Sequence, residues 1–129
     1  MESFVNFQII TEEVSISNNF LPDGEFMVSP EIKRETGIID SENNLYFTRL
    51  TLRLENKEEN PFPINLKIVL TGNFSLEKVA NEDRDNFLKH QAVQILFPYI
   101  RTMVSNITSS SMMMPIVLPV IDVLTLFND

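Results

Sequence analysis

Apolar and polar side chains alternate along the first part of the chain, as they do in half-buried β-strands. Over residues 46–55 the even positions hold tyrosine, threonine and leucines, whereas the odd positions include two arginines and a glutamate. Residues 64–77 show the same alternation. A period of two places successive side chains on opposite faces of a sheet. The pattern predicts two strands, and the NKEENPFP segment between them supplies the turn residues of an antiparallel hairpin.

Two further strands are predicted upstream of this hairpin. Residues 5–9 alternate, the phase changes at Ile10, and residues 14–16 continue it, which indicates a bulge or a bend inside one strand. The segment EIKRETGII, residues 31–39, forms the other short strand. Between them, residues 18–30 (NNFLPDGEFMVSP) have turn chemistry at their centre but also large apolar side chains. We interpret this segment as an apolar loop.

After Asn81 the apolar period lengthens from two to about 3.6, which predicts a helix. Asn81 is a candidate N-cap, and acidic residues follow it in the first turn. Pro98 predicts a kink or a new segment, and the serines at 109–111 end the helix. Pro119 predicts a short final helix over residues 120–127. The apolar stripe of the long helix consists of Val93, Phe97, Ile100, Val104 and Ile107.

These elements predict a single α+β domain over residues 1–129, with a four-stranded antiparallel sheet, a long kinked helix and a short final helix. A chain of 129 residues can build a core without disulfides or bound metal ions. One sheet and one helix, however, provide little apolar surface to cover the helical stripe. We therefore expect an oligomer of two or four chains, with that stripe at the interface between them.

Composition excludes several classes of protein. The chain has no cysteine, so disulfides and thiolate sites are excluded. The net charge of −8 and the scattered basic residues argue against nucleic acid. The N-terminus does not resemble a secretory signal, and prolines and Asp122 interrupt the longest apolar run, so no membrane insertion is expected. We expect a cytoplasmic protein that attracts basic, unfolded chains.

The sequence offers little material for catalysis. His90 is the only histidine and has no local nucleophile arrangement. The acidic pairs lie in separate elements without calcium-loop spacing, and the three glycines form no phosphate loop. We expect no enzyme activity, no cofactor and no metal site.

Two apolar segments are the best candidates for function. Flexible methionines and exposed aromatic rings suit a surface that must accept many different ligands. Any one of these side chains is more often a core residue, but the cluster is unusual because loops are normally polar. The candidates are Phe20, Leu21, Phe26, Met27, Met112, Met113 and Met114.

The run QILFPYIRTMVSNITSSSMMMPIVLPVIDVLTLF, residues 94–127, resembles the C-terminal signature of the SecB family of export chaperones. Weaker resemblances follow in the right order at VNFQI, SPEIK and GNFSLE. The resemblance implies a four-stranded sheet backed by helices, assembled into dimers and tetramers, that binds unfolded or precursor polypeptides without ATP. It also implies a peptide groove that includes Phe20, Phe26, Met27, Ile116, Leu118 and Phe127.

The sequence also departs from the family pattern. The resemblance implies acidic residues on the outer face of the sheet that dock on the SecA motor. Glu13 falls where one such acid is expected, but Ser17 and Lys67 occupy two other positions. SecA is therefore a doubtful partner. A general holdase and an adaptor dedicated to one protein, such as an antitoxin, both remain open, with an enzyme as a distant third reading.

Overall fold

The protein is described by a computed structural model that covers residues 5–119, 121–122 and 125–127. Four antiparallel strands form one sheet in the order β1-β4-β3-β2. The strands are β1 (Phe7–Asn18), β2 (Glu31–Asp40), β3 (Leu45–Leu54) and β4 (Ile64–Ser75). The predicted α+β class, the four strands and the β3–β4 hairpin are confirmed. Because β1 and β2 are the two edges, the β1–β2 loop (residues 19–30) crosses one end of the sheet.

The irregularity predicted in the first strand is a bulge at Glu12. Thr11 pairs with Leu70 and Glu13 pairs with Val69, so Glu12 is an extra residue between them. A bulge re-aims the side chains that follow it. The change of apolar phase along β1 therefore has a structural cause, and it keeps apolar side chains on the helix-facing side at both ends of the strand.

The long helix consists of α1 (Asn81–Asn86), a π-helical turn (Phe87–Gln91) and α2 (Ala92–Ser110). The prediction that Asn81 caps the helix is wrong, because Ala80 occupies the N-cap position. The helix also does not start a new segment at Pro98, which lies inside α2. Pro98 and Gln94 are both exposed, so water can reach the carbonyl that the proline leaves without a donor.

The π-helical turn is held by side chains from the sheet. The Thr48 hydroxyl donates to the carbonyl of Leu88 at 2.8 Å, and the Arg34 guanidinium donates to the carbonyl of Lys89 at 2.8 Å. A π-helical turn disturbs the regular helical hydrogen bonds, so its carbonyls need other donors. These two bonds fix the start of α2 over β2 and β3.

The core lies between α2 and the central strands. The inward side chains of β3 and β4 meet the apolar stripe of α2, in which Val93, Ile100 and Val104 are fully buried and Phe97 is nearly so. Ile107 is half-buried against the same cluster. The chain's own sheet thus covers the stripe that we assigned to an oligomer interface, and leaves almost none of it for a partner. The expectation did not consider the β1–β2 loop and the C-terminal segment (residues 111–119), which also cover this core.

The outer face of the sheet is polar and is crossed by ion pairs. Arg49 on β3 donates to Glu12 on β1 at 2.7 and 3.2 Å, and it also pairs with Glu35 on β2 at 3.2 Å. The hydrogen bond from Arg49 lowers the pKa of the Glu12 carboxyl, and Glu12 in turn raises the pKa of Arg49. One arginine therefore links both edge strands across the sheet.

The predicted final helix, residues 120–127, lies partly outside the described residues. Ile121 and Asp122 have no regular secondary structure, and residues 125–127 form a turn and bends. In that turn the backbone N–H of Thr125 donates to the carbonyl of Asp122 at 3.1 Å. Phe127 lies beneath the guanidinium of Arg34, which is 4.4 Å from its ring centroid.

Candidate functional site

The β1–β2 loop is fixed at its start by an asparagine network. The backbone N–H of Asn19 donates to the carbonyl of Pro63 at 2.9 Å, and its side-chain amide donates to the carbonyl of Phe62 at 3.0 Å. Asn65 on β4 donates to the Asn19 side chain at 3.1 Å. Asn18 accepts a hydrogen bond of 2.7 Å from the N–H of Phe20. These bonds satisfy the polar groups of the chain where it leaves the sheet, so the loop begins in one defined conformation.

Further along the loop, apolar side chains alternate between the core and the solvent. Phe26 packs edge-on against Phe62, with 6.4 Å between ring centroids and an interplanar angle of 74°. Val28 also packs against the core cluster. Met27, between them, is 72% exposed. The inward residues act as anchors, and the residue between them is presented to solvent.

The C-terminal segment (residues 111–119) is docked on α2 by two hydroxyl groups. Thr108 is fully buried, and its hydroxyl accepts a hydrogen bond of 2.8 Å from the N–H of Ile116. Ser105 donates to the carbonyl of Ile116 at 3.0 Å. Both backbone polar groups of Ile116 are therefore satisfied by the helix, which allows its side chain to pack against the core.

The C-terminal segment shows the same alternation. Met113 packs against the core cluster, whereas Met112 and Met114 on either side are 96% and 87% exposed. Val117 is 68% exposed between two inward residues. Beside it lies an open depression of about 400 Å³, whose walls come from α2 and this segment, including Arg101, Asn106 and Val117.

The structure divides the predicted binding residues into three groups. Leu118 is 2% exposed and belongs to the core, so its side chain is closed to a ligand and the assignment is corrected. Leu21, Phe26, Met113, Ile116 and Phe127 are partly buried. Phe20, Met27, Met112 and Met114 are strongly exposed, and Val117, which the sequence argument missed, joins them. Alternation with its two inward neighbours was the signal that could have found it. We call these five residues the exposed apolar set: Phe20, Met27, Met112, Met114 and Val117.

The exposed apolar set lies in segments with a simple charge pattern. The β1–β2 loop contains two acids, Asp23 and Glu25, and no lysine or arginine. Both acids are exposed. The C-terminal segment contains no charged residue. The segment that carries the loop part of the set is therefore negatively charged.

The histidine and the acidic pairs considered for catalysis are half-buried or exposed in the described part of the chain. His90 is half-buried in the π-helical turn. Across residues 5–119, 121–122 and 125–127, no group of three or more histidine, cysteine or acidic side chains is placed to hold a metal ion. Within the same ranges, no helix has the length and apolar character needed to cross a membrane.

A sequence profile of the family described as "Preprotein translocase subunit SecB" matches residues 8–129. The chain belongs to the SecB family. Its relatives include the protein-export protein SecB of Ehrlichia ruminantium, 28% identical over an alignment of 137 positions that covers 98% of this chain and 75% of the relative. An uncharacterized protein of Methanocaldococcus jannaschii is 26% identical over 117 residues, or 88% of this chain and 76% of that one. The resemblance of residues 94–127, which contain the LFPY block at residues 96–99, is thereby confirmed.

The fold is similar to that of a solved SecB-like protein. The SecB-like chaperone of Mycobacterium tuberculosis, in complex with a ChAD peptide from an antitoxin, superposes with a TM-score of 0.75. The match covers 92% of this chain and 91% of that one at 14% identity. The SecB-type arrangement of sheet and helix is thus retained in a chain of very different sequence.

The outer face of this SecB-family sheet lacks a free acidic patch around Glu13. The Glu13 carboxylate pairs with Lys67 on β4 at 3.2 Å, and the side chain of Glu13 is 48% exposed. Glu12, next to it, pairs with Arg49. The lysine that replaces an expected acid therefore also neutralises the acid that is present.

Proposed function

We propose that the protein is a holdase, a chaperone that binds unfolded or precursor polypeptides without ATP, and that the exposed apolar set contacts them. The observation that carries this proposal is the alternation in both segments: inward side chains fix the backbone, and outward methionines and aromatic residues meet solvent. Large apolar side chains at 68 to 96% exposure have no role in the packing of the chain itself.

The chemistry of the exposed apolar set suits a client of variable sequence. Four of its five members are methionine or phenylalanine, and all of them lie outside the regular strands and helices. Methionine side chains adapt to differently shaped partners because they are unbranched and polarizable. Asp23 and Glu25 add negative charge beside them, which favours apolar client segments that carry lysine or arginine.

A second candidate function is an adaptor dedicated to one protein. The solved SecB-like neighbour is a chaperone in complex with a peptide of an antitoxin, so this fold can bind a segment of a partner protein. In either case we place the protein in the cytoplasm, and we regard SecA as a doubtful partner because Lys67 neutralises Glu13. Protection of several unrelated unfolded proteins favours the general holdase, whereas tight binding of one segment without general protection favours the adaptor.

The experiment that tests the proposal is a charge placed in the exposed apolar set. Met27→Asp should weaken binding of an apolar peptide at least about tenfold, because the new carboxylate must lose water when the peptide docks. Binding is measured by fluorescence anisotropy, aggregation of a denatured test protein by light scattering without ATP, and folding by circular dichroism. Met27 is 72% exposed, so the fold should survive.

The matched control is Ser41→Asp, which adds the same charge to an exposed turn at the opposite end of the sheet. This variant should bind and protect like the unchanged protein. Phe26→Asp is not a suitable test, since Phe26 packs against Phe62 and its replacement should damage the fold. Unimpaired binding and protection by Met27→Asp would refute the proposed surface.

A further inference from the structure

Two members of the exposed apolar set have a left-handed backbone. Phe20 has φ 53° and Met112 has φ 62°. Apart from Asn44, at 56°, no other residue of the described ranges has a positive φ, and this includes the glycines. Residues with a Cβ atom are disfavoured in this conformation, which glycine adopts freely and asparagine tolerates. Phenylalanine and methionine are therefore costly choices at these two positions.

The left-handed conformation at Met112 follows from how α2 ends. α2 finishes at Ser110, Ser111 is its C-cap, and the N–H of Ser111 donates to the carbonyl of Ile107 at 3.1 Å. The N–H of Met112 donates to the carbonyl of Ser109 at 3.3 Å. The position after the C-cap is the one that glycine usually occupies in helices that end in this way. With a side chain that is 96% exposed, Met112 gains no packing that offsets the backbone cost.

Phe20 is in a similar situation at the end of β1. The side chain of Asn18 binds its N–H, and Asn19 is tied to the β3–β4 loop, so the backbone on its N-terminal side is fixed. The phenylalanine side chain is 87% exposed. Neither residue stabilises the chain through its side chain, yet both are large and apolar.

We propose that Phe20 and Met112 are client-contacting residues kept where glycine would make the fold more stable, so that the protein gives up stability to present them. This inference rests on the proposed function and names two residues on which it depends. The occupant is an apolar polypeptide segment with positive charge. A second copy of this chain fits less well, because it would bring its own Asp23 and Glu25 against the same acids.

The test compares two substitutions at Met112 that separate the side chain from the backbone. Met112→Gly removes both the side chain and the strain, whereas Met112→Ala removes most of the side chain but keeps a Cβ at positive φ. Both should weaken binding about fivefold, the loss expected when a methionine gives up part of its burial on the ligand. Only Met112→Gly should raise the thermal midpoint of unfolding, by about 3 °C.

Two controls complete the design, and Phe20→Gly should behave like Met112→Gly. Met114→Gly removes another strongly exposed methionine, whose φ is not positive, so it should weaken binding without raising the midpoint. Asn44→Gly changes the third left-handed residue, at the opposite end of the sheet, and should leave binding unchanged. The probe is a fluorescein-labelled peptide with a leucine- and phenylalanine-rich middle and lysines at both ends.

Each result supports or overturns the inference. Normal binding by Met112→Gly and Phe20→Gly, with the unchanged protein binding the peptide, overturns this inference and leaves the proposed function intact. An equal rise of the midpoint in Met112→Ala would show that the left-handed backbone is not the source of the cost, and no rise in Met112→Gly would show that no stability is given up. Either result also overturns the inference. Failure of the unchanged protein to bind the peptide or to protect a denatured protein overturns both proposals.

Discussion

At the scale of single residues, the functional surface depends on a few buried polar groups. Thr108 is the clearest case, because its hydroxyl donates to the carbonyl of Val104 at 2.8 Å and accepts from the N–H of Ile116 at 2.8 Å. It lies in the core although it is polar. A buried hydroxyl is retained at low cost only when its hydrogen bonds are made. Thr108 thus connects the stability of the helix to the position of the C-terminal segment.

Replacing Thr108 with valine, which has nearly the same shape, should leave the N–H of Ile116 without its acceptor. We expect the free energy of unfolding to fall by about 1–2 kcal/mol, measured by urea denaturation. Hydrogen exchange at Ile116 should accelerate as well. Thr102→Val is the control, since Thr102 is exposed on the same helix and should change neither quantity. Unaltered exchange at Ile116 in the Thr108 variant would contradict this role.

At the scale of elements, the edge strands are linked through Arg49 rather than through packing. The bulge in β1 adds Glu12, whose carboxylate reaches Arg49 past β4, and Glu35 meets the same arginine from β2. The Glu12 and Arg49 side chains are 39% and 27% exposed, so water screens the pair and its contribution is modest.

Glu12→Gln should lower stability at neutral pH by about 0.5–1 kcal/mol. Because the hydrogen bond from Arg49 lowers the pKa of Glu12 in the folded protein, its contribution is complete above the ordinary glutamate pKa, about 4.3. The contribution is lost as the pH falls through the lowered folded-state value. The free energies of unfolding of the two proteins should therefore differ at pH 7 and become equal near the lowest pH at which the protein folds.

This convergence is measured by urea denaturation over a series of pH values. Glu58→Gln, an exposed change in the β3–β4 loop, is the matched control and should alter stability little at any pH. If the difference in free energy of unfolding between Glu12→Gln and the unchanged protein stays constant down to acid pH, Glu12 does not act through its charge.

At the scale of the whole molecule, one helix covers a four-stranded sheet incompletely. The side chains of Phe7 and Val14 on β1 and of Ile38 on β2 point to the helix side, since they pair with inward residues of β4 and β3. They are 46%, 43% and 61% exposed. We propose that two or four chains associate and that the β1 part of this uncovered strip, rather than the helical stripe, lies at the contact.

Val14→Asp should weaken such an assembly at least about tenfold, because the new charge would lose water at the contact. Its exposure in the single chain should preserve the fold. Ser15→Asp is the control, since Ser15 is the next residue on β1 and faces the opposite, polar side of the sheet. Light scattering measures the assembly state of both variants. A stable monomer of the unchanged protein at micromolar concentration would refute the proposed assembly.

The sequence by itself determined the elements and their inward faces. Alternation over residues 46–55 and 64–77 placed Leu50, Leu52 and Ile68 in the core, and the change of phase near Ile10 indicated the bulge. The helical stripe was also identified correctly as an apolar face. These features follow from the periods of strand and helix, which depend on neighbours close in the sequence. The LFPY block indicated the SecB family from the sequence alone, because it is a contiguous stretch and does not depend on distant contacts.

The tertiary structure decided what each apolar face packs against. The stripe of α2 meets the chain's own sheet, and the two apolar segments divide into anchors such as Phe26 and presented residues such as Met27. Alternation along a loop does not show which set of side chains faces the core, because that depends on distant partners such as Phe62 and Thr108. The left-handed backbone at Phe20 and Met112 was equally hidden, since neither residue type predicts it. Contacts across the fold, rather than local propensity, therefore determine which residues of this protein are free to meet a partner.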